Sequence, residues 1–105
     1  MNLCLLTLII PAAIEDVVVD WLLEQQGFTG FNSMMVNGYG LDEKNMTLPE
    51  KVTGKTYRIM FQMHMDDTLS EFILENLKQD FPTSDIHYMI TPLSSAGNLK
   101  QFSKE

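Results

Sequence analysis

Residues Leu3 to Ile10 read Leu-Cys-Leu-Leu-Thr-Leu-Ile-Ile and stop at Pro11. A continuous apolar run this short, closed by a residue without a backbone N–H, is the pattern of a strand buried on both faces. Such a strand needs cover on two sides, and this requirement constrains the fold more than any other segment does. The run, with Ala12 and Ala13 behind it, also imitates the core and small-residue end of a secretion signal, but it lacks the basic stretch that precedes such a core. Cover for one side follows directly. Ile14, Val17, Val18, Trp21, Leu22 and Gln25 recur at helical spacing, with Glu15, Asp16, Asp20 and Glu24 largely opposite them. Gly27 closes this helix.

Phe28 to Val36 reads as a second, less regular strand, and Asn37-Gly38-Tyr39-Gly40 opens a long polar loop that runs to Gly54. Loops of this length are usually functional or mobile. Tyr57, Ile59, Phe61, Met63 and Met65 then alternate with Arg58, Met60, Gln62 and His64, a third strand with one strongly apolar face and one mixed face. Asp66 and Asp67 are N-cap candidates for a second helix, Thr68-Leu69-Ser70-Glu71 fits a capping box, and Leu69, Phe72, Ile73 and Leu77 form its inner stripe. Phe81-Pro82 breaks that helix. Ile86, Tyr88 and Ile90 mark a fourth strand that Pro92 closes.

The expected organisation is one α+β domain over 1–93 followed by a tail over 94–105, polar apart from Leu99 and Phe102, through which it could dock. The order βαββαβ is the split, ferredoxin-like arrangement: an antiparallel sheet with two helices on one face. Two helices leave the other face bare, so the two-sided first strand and Met60 call for a partner subunit as cover.

Composition narrows the partners. A formal charge of -7 repels nucleic acid and anionic headgroups. No stretch is long and apolar enough to span a membrane. The lone Cys4 cannot form an internal disulfide, and eight methionines fit a reducing cytoplasm better than an oxidising compartment. Cys-x-x-Cys, His-Glu-x-x-His, Gly-x-Ser-x-Gly and Walker sequences are all missing, so the chain reads as a sensing or interaction module rather than an enzyme.

Val36-Asn37-Gly38-Tyr39-Gly40 ahead of a long loop, with a following strand that ends in acidic residues at Asp66 and Asp67, resembles the nitrogen-regulatory PII proteins and their PII-like relatives. The resemblance covers residues 2 to 92. It implies a homotrimer that senses a small effector in clefts between subunits and acts on a protein target through the 38–54 loop. Asn37, Gly38, Tyr39, Gly40, Asp42, Met46 and Leu48 are then the effector and partner residues, with Met46 and Leu48 as anchors in a loop that orders on contact. Asn37 stands where PII proteins carry lysine, and Leu41 and Asp42 stand where they carry nucleotide-contacting arginine and glutamine. Asp80 to His87 holds no glycine-rich, lysine-containing phosphate loop, so ATP is expected to bind weakly or not at all.

A second reading is metal binding or metal tolerance, as associated with the CutA type among PII-like proteins. Cys4, His64 and His87 are its candidate ligands, with Gln62 and Met89 beside the histidines on the mixed sheet face. Thiolate, imidazole and thioether suit Cu(I), and imidazole with thiolate suits Zn(II). Two isolated histidines without close ligand spacing more commonly line a core or end in solvent, and methionines at strand alternation are more commonly core fillers.

Overall fold

A computed structural model describes residues 2–28, 30–40 and 47–104. The elements in chain order are β1 (Leu3–Pro11), α1 (Glu15–Leu23), β2 (Asn32–Tyr39), α2 (Leu48–Thr53), β3 (Lys55–Asp66), α3 (Asp67–Asp80) and β4 (His87–Pro92). Short 3-10 turns cover Ala12–Ile14 and Leu99–Gln101. The sheet order is β2-β3-β1-β4, with every neighbouring pair antiparallel. This is the expected ferredoxin-like α+β fold with a PII-like order of elements.

The alternation of β1 assigns its two faces. Cys4, Leu6, Leu8 and Ile10 are buried with Met65, Met63, Phe61 and Ile59, their register partners on β3. Val18 and Leu22 of α1 and Ile73 and Leu77 of α3 complete the same core. Both long helices therefore cover one face. At about 1.5–3 kcal/mol for each fully buried large aliphatic or aromatic side chain, this cluster is the main source of stability. Phe31 meets Phe61 edge to face at 5.7 Å. Trp21 Nε1 donates to Asp80 Oδ2 at 2.6 Å, and its ring meets Phe81 edge to face, so α1 is pinned to the end of α3.

The other face carries Leu5, Thr7, Ile9 and Pro11 from β1, opposite His64, Gln62, Met60 and Arg58 from β3. Met34 and Val36 of β2 and Met89 of β4 extend it. Among the described residues, neither long helix lies over it. Met34 and Met89 are about half exposed, and Met60 and Ile9 are only partly buried.

Four expectations need correction. β2 begins at Asn32 rather than Phe28 and runs to Tyr39, so Asn37, Gly38 and Tyr39 are strand residues paired with Tyr57, Thr56 and Lys55. The second half of the expected loop is a helix, α2. The capping box belongs to that helix and not to α3, whose N-cap Asp66 makes no side-chain cap bond; Thr68 Oγ1 instead donates to Asp66 Oδ2, and Ser70 Oγ to the Asp67 carbonyl. Val17 and Phe72, expected on the inner stripes, are exposed, because each helix turns a narrower face to the sheet, centred on Val18 and Leu22 in α1 and on Ile73 and Leu77 in α3.

Candidate functional site

Where the long loop returns to the sheet, Thr47-Leu48-Pro49-Glu50 forms a complete capping box. Thr47 Oγ1 accepts from the Glu50 N–H at 3.3 Å, and Glu50 Oε1 accepts from the Thr47 N–H at 2.9 Å. Pro49 suits the first turn, where no donor is needed, and Gly54, at φ 73°, ends the helix in the left-handed conformation. The second oxygen of Glu50 reaches past the helix to accept from the Tyr57 N–H of β3 at 2.6 Å. One buried carboxylate therefore caps α2 and ties it to the sheet. The amides of Thr47 and Tyr57 hold the Glu50 carboxyl below its ordinary pKa.

Arg58 is adjacent to that tie and only 4% exposed. Its Nη2 donates to Asp85 Oδ2 at 2.9 Å, its Nη1 to the Asp85 carbonyl at 3.2 Å, and its Nε to Thr56 Oγ1 at 3.4 Å. The other carboxylate oxygen of Asp85 lies 3.0 Å from His87 Nε2. The Arg58 hydrogen bond, against the opposing effect of burial, lowers the Asp85 pKa from its ordinary value, and the Arg58 and His87 charges lower it further. Pro11, Glu50, Thr56, Tyr57, Arg58, Thr83 and Asp85 surround a cavity of about 210 Å³ at this end of the sheet. The site thus joins a guanidinium, two carboxylates and three hydroxyl-bearing side chains, those of Thr56, Tyr57 and Thr83, beside the loop helix.

The residues singled out in the sequence are distributed around this centre. Tyr39 and Leu48 are exposed beside it, at 67% and 76%, and Gly40 follows β2 with φ 75°. Asp42 and Met46 lie outside the described residues. Cys4 is buried on the helix-covered face, whereas His64 and His87 lie on the opposite one, facing Leu5 and Ile9 of β1. Alternation and register thus keep Cys4 away from both histidines and the histidines four strand positions apart, so one subunit does not bring the three together. Among the described residues no cluster of three or more His, Cys, Asp or Glu is placed to hold a metal ion. Glu50, Arg58 and Asp85 escaped the sequence reading. The signals present were the Thr-x-x-Glu spacing at 47–50 and the one arginine of the chain on the mixed face of β3.

Residues 1–100 match the family described as protein of unknown function (DUF3240). The chain belongs to the DUF3240 family. Its fold is shared with a DUF3240 family protein from Shewanella baltica, at 22% identity and TM-score 0.76 over 94% of this chain and 98% of that one. CPII, a nitrogen regulatory PII-like protein from Thiomonas intermedia bound to ADP, AMP and bicarbonate, follows at 18% identity and TM-score 0.68, again over 94% and 98%. A PII-like signalling protein from Thermus thermophilus aligns at 17% identity and TM-score 0.63 over 89% and 88%. No curated protein sequence matches this DUF3240 chain. Among the described residues no helix is long and apolar enough to cross a membrane.

Proposed function

We propose that this DUF3240 protein is a PII-like regulatory homotrimer that senses a small anion at the loop base and passes its occupancy to a protein target through α2. It acts by binding rather than by catalysis and works in the cytoplasm. The observation that carries this reading is the continuous path from the cavity to the loop helix: Arg58, whose guanidinium lines the cavity, is adjacent in β3 to Tyr57, whose amide donates to the Glu50 carboxylate that caps α2. A ligand that shifts Arg58 alters the tie that sets the position of α2.

The chemistry of the cavity selects the ligand. At about 210 Å³ it is smaller than the roughly 300 Å³ at the lower end of small-molecule sites, so it suits a carboxylate-sized anion better than a nucleotide. Arg58 supplies fork-like donors for two oxygens, while Glu50 and Asp85 supply acceptors. Bicarbonate matches both, since it presents oxygens to accept and one hydroxyl to donate, and CPII carries bicarbonate in its structure. Acetate lacks the donor. Calorimetry with bicarbonate, acetate, AMP, ADP and ATP tests the assignment: bicarbonate should bind more tightly than acetate, and ATP weakly. Tight ATP binding with no bicarbonate response would overturn it.

The target-facing element is α2 with the adjoining loop. Leu48 and Val52, one helical turn apart, expose an apolar stripe at 76% and 84%, and Tyr39 at the end of β2 is exposed as well. Asp42 and Met46 belong to the adjoining loop by sequence. The helix-free sheet face, with Ile9, Met34, Met60 and Met89, is the subunit contact, which gives each side of β1 its cover.

A further inference from the structure

The C-terminal segment and one groove of the same chain are complementary, and a single copy leaves both empty. After Pro92 every residue from Ser94 to Lys104 is exposed. The segment is nevertheless shaped: Asn98 Oδ1 accepts from the Lys100 N–H at 2.9 Å, and the Phe102 N–H donates to the Leu99 carbonyl at 3.1 Å. In such a 3-10 turn residues three apart eclipse. Leu99 opens this turn and Phe102 caps it, at 84% and 70% exposure, as a two-residue apolar knob. Lys100 and Lys104 accompany it, and the 94–105 tail holds these two lysines against one acid, Glu105.

The groove lies between α3 and β4, the last strand of the sheet. Leu74, Leu77, Phe81, Ile86, Tyr88 and Ile90 form its apolar lining, Glu71, Glu75 and Lys78 edge it, and its volume is about 740 Å³. The groove offers two carboxylates against one amine, and the tail offers two amines. In a chain of net charge -7, this tail is one of the few cationic segments. The radius of gyration is 15.7 Å against about 13 Å for a compact chain of this length, so the chain is more extended than a closed globule.

We infer that the α3/β4 groove is the seat for the Leu99–Phe102 knob of a second copy of this chain, with Lys100 and Lys104 meeting Glu71 and Glu75. The tail stays outside its own groove although both lie on one chain, and exchange between identical copies fills both at once. Two apolar anchors make a weak contact alone, and linkage to an assembly raises their effective concentration. The inference needs only two copies and is independent of the effector and target.

Cysteines at exposed positions test it without touching the core. Tyr88→Cys copies are mixed with Leu99→Cys copies, and the chain carrying both changes is run alongside; native Cys4 is buried and stays out of the reaction. Under mild oxidation the mixture should give a covalent heterodimer severalfold above either variant alone, and Phe102→Glu in the Leu99→Cys copy should lower that yield severalfold. The doubly substituted chain should form linked oligomers. An intrachain-linked monomer as its main product would place the tail in its own groove, and no excess heterodimer in the mixture would show that the groove is not its seat; either result overturns the inference.

Discussion

Arg58 and Asp85 meet through two hydrogen bonds, at 2.9 and 3.2 Å, yet their surroundings differ: the arginine side chain is 5% exposed and the aspartate side chain 39%. Removing one partner is therefore not equivalent to removing the other. Asp85→Ala strands a buried guanidinium and should cost about 3 kcal/mol. Arg58→Met removes the buried charge, keeps much of the stem's packing and leaves Asp85 to water, at about 1 kcal/mol. Urea unfolding of the two variants reads the order directly, and an Arg58→Met protein less stable than Asp85→Ala would contradict it.

Glu50 and Asp85 both have pKa values below the ordinary carboxylate range in the folded state. A group whose folded pKa is lowered contributes stability above its unfolded pKa, and that contribution fades as pH falls through the folded value. Stability should hold near neutrality and decline below about pH 4. Asp85→Asn and Glu50→Gln should each flatten the decline, as followed by thermal unfolding across pH. An unchanged acid slope in both variants would show that these carboxylates do not set it.

The Thr47–Glu50 capping box should govern α2 without governing the sheet. Thr47→Ala should cost about 1 kcal/mol of local helix stability. Hydrogen exchange should then accelerate at Glu50 to Gly54 while β1 stays protected. Glu50→Gln should also speed exchange at Tyr57, because the carboxylate that accepts its N–H is gone. Uniform acceleration across the whole chain would mean that α2 is not a separate unit.

If the helix-free sheet face is the subunit contact, a charge placed there should dissociate the assembly without unfolding the subunit. Met60→Glu should convert trimer to monomer in light scattering while unfolding stays cooperative. A trimer of undiminished mass would place the contact elsewhere.

The sequence disclosed the parts of this fold that follow from strong local patterns. Leu3–Ile10 required a central strand, and β1 is flanked by β3 and β4. The alternation from Tyr57 to Met65 marked β3. β2 was harder to place, since Asn32, Ser33, Asn37 and Gly38 have little intrinsic preference for strands and owe their conformation to pairing with β3. α2 was hidden because its six residues sit in a polar stretch and depend on the cap and the Glu50 tie. The loop-base site draws on positions 50, 58, 85 and 87, and only the return of the chain from α3 to β4 brings Asp85 beside Arg58. No local spacing encodes that meeting.

The central claim, that a small anion at Arg58 controls α2 through Tyr57 and Glu50, is tested most directly by hydrogen exchange of the native protein with and without bicarbonate, at constant pH and ionic strength. The account predicts a change in exchange confined to residues 47–57, greater with bicarbonate than with acetate and abolished in Arg58→Met. Exchange through 47–57 that is indifferent to bicarbonate, or a response that survives in Arg58→Met, would contradict it.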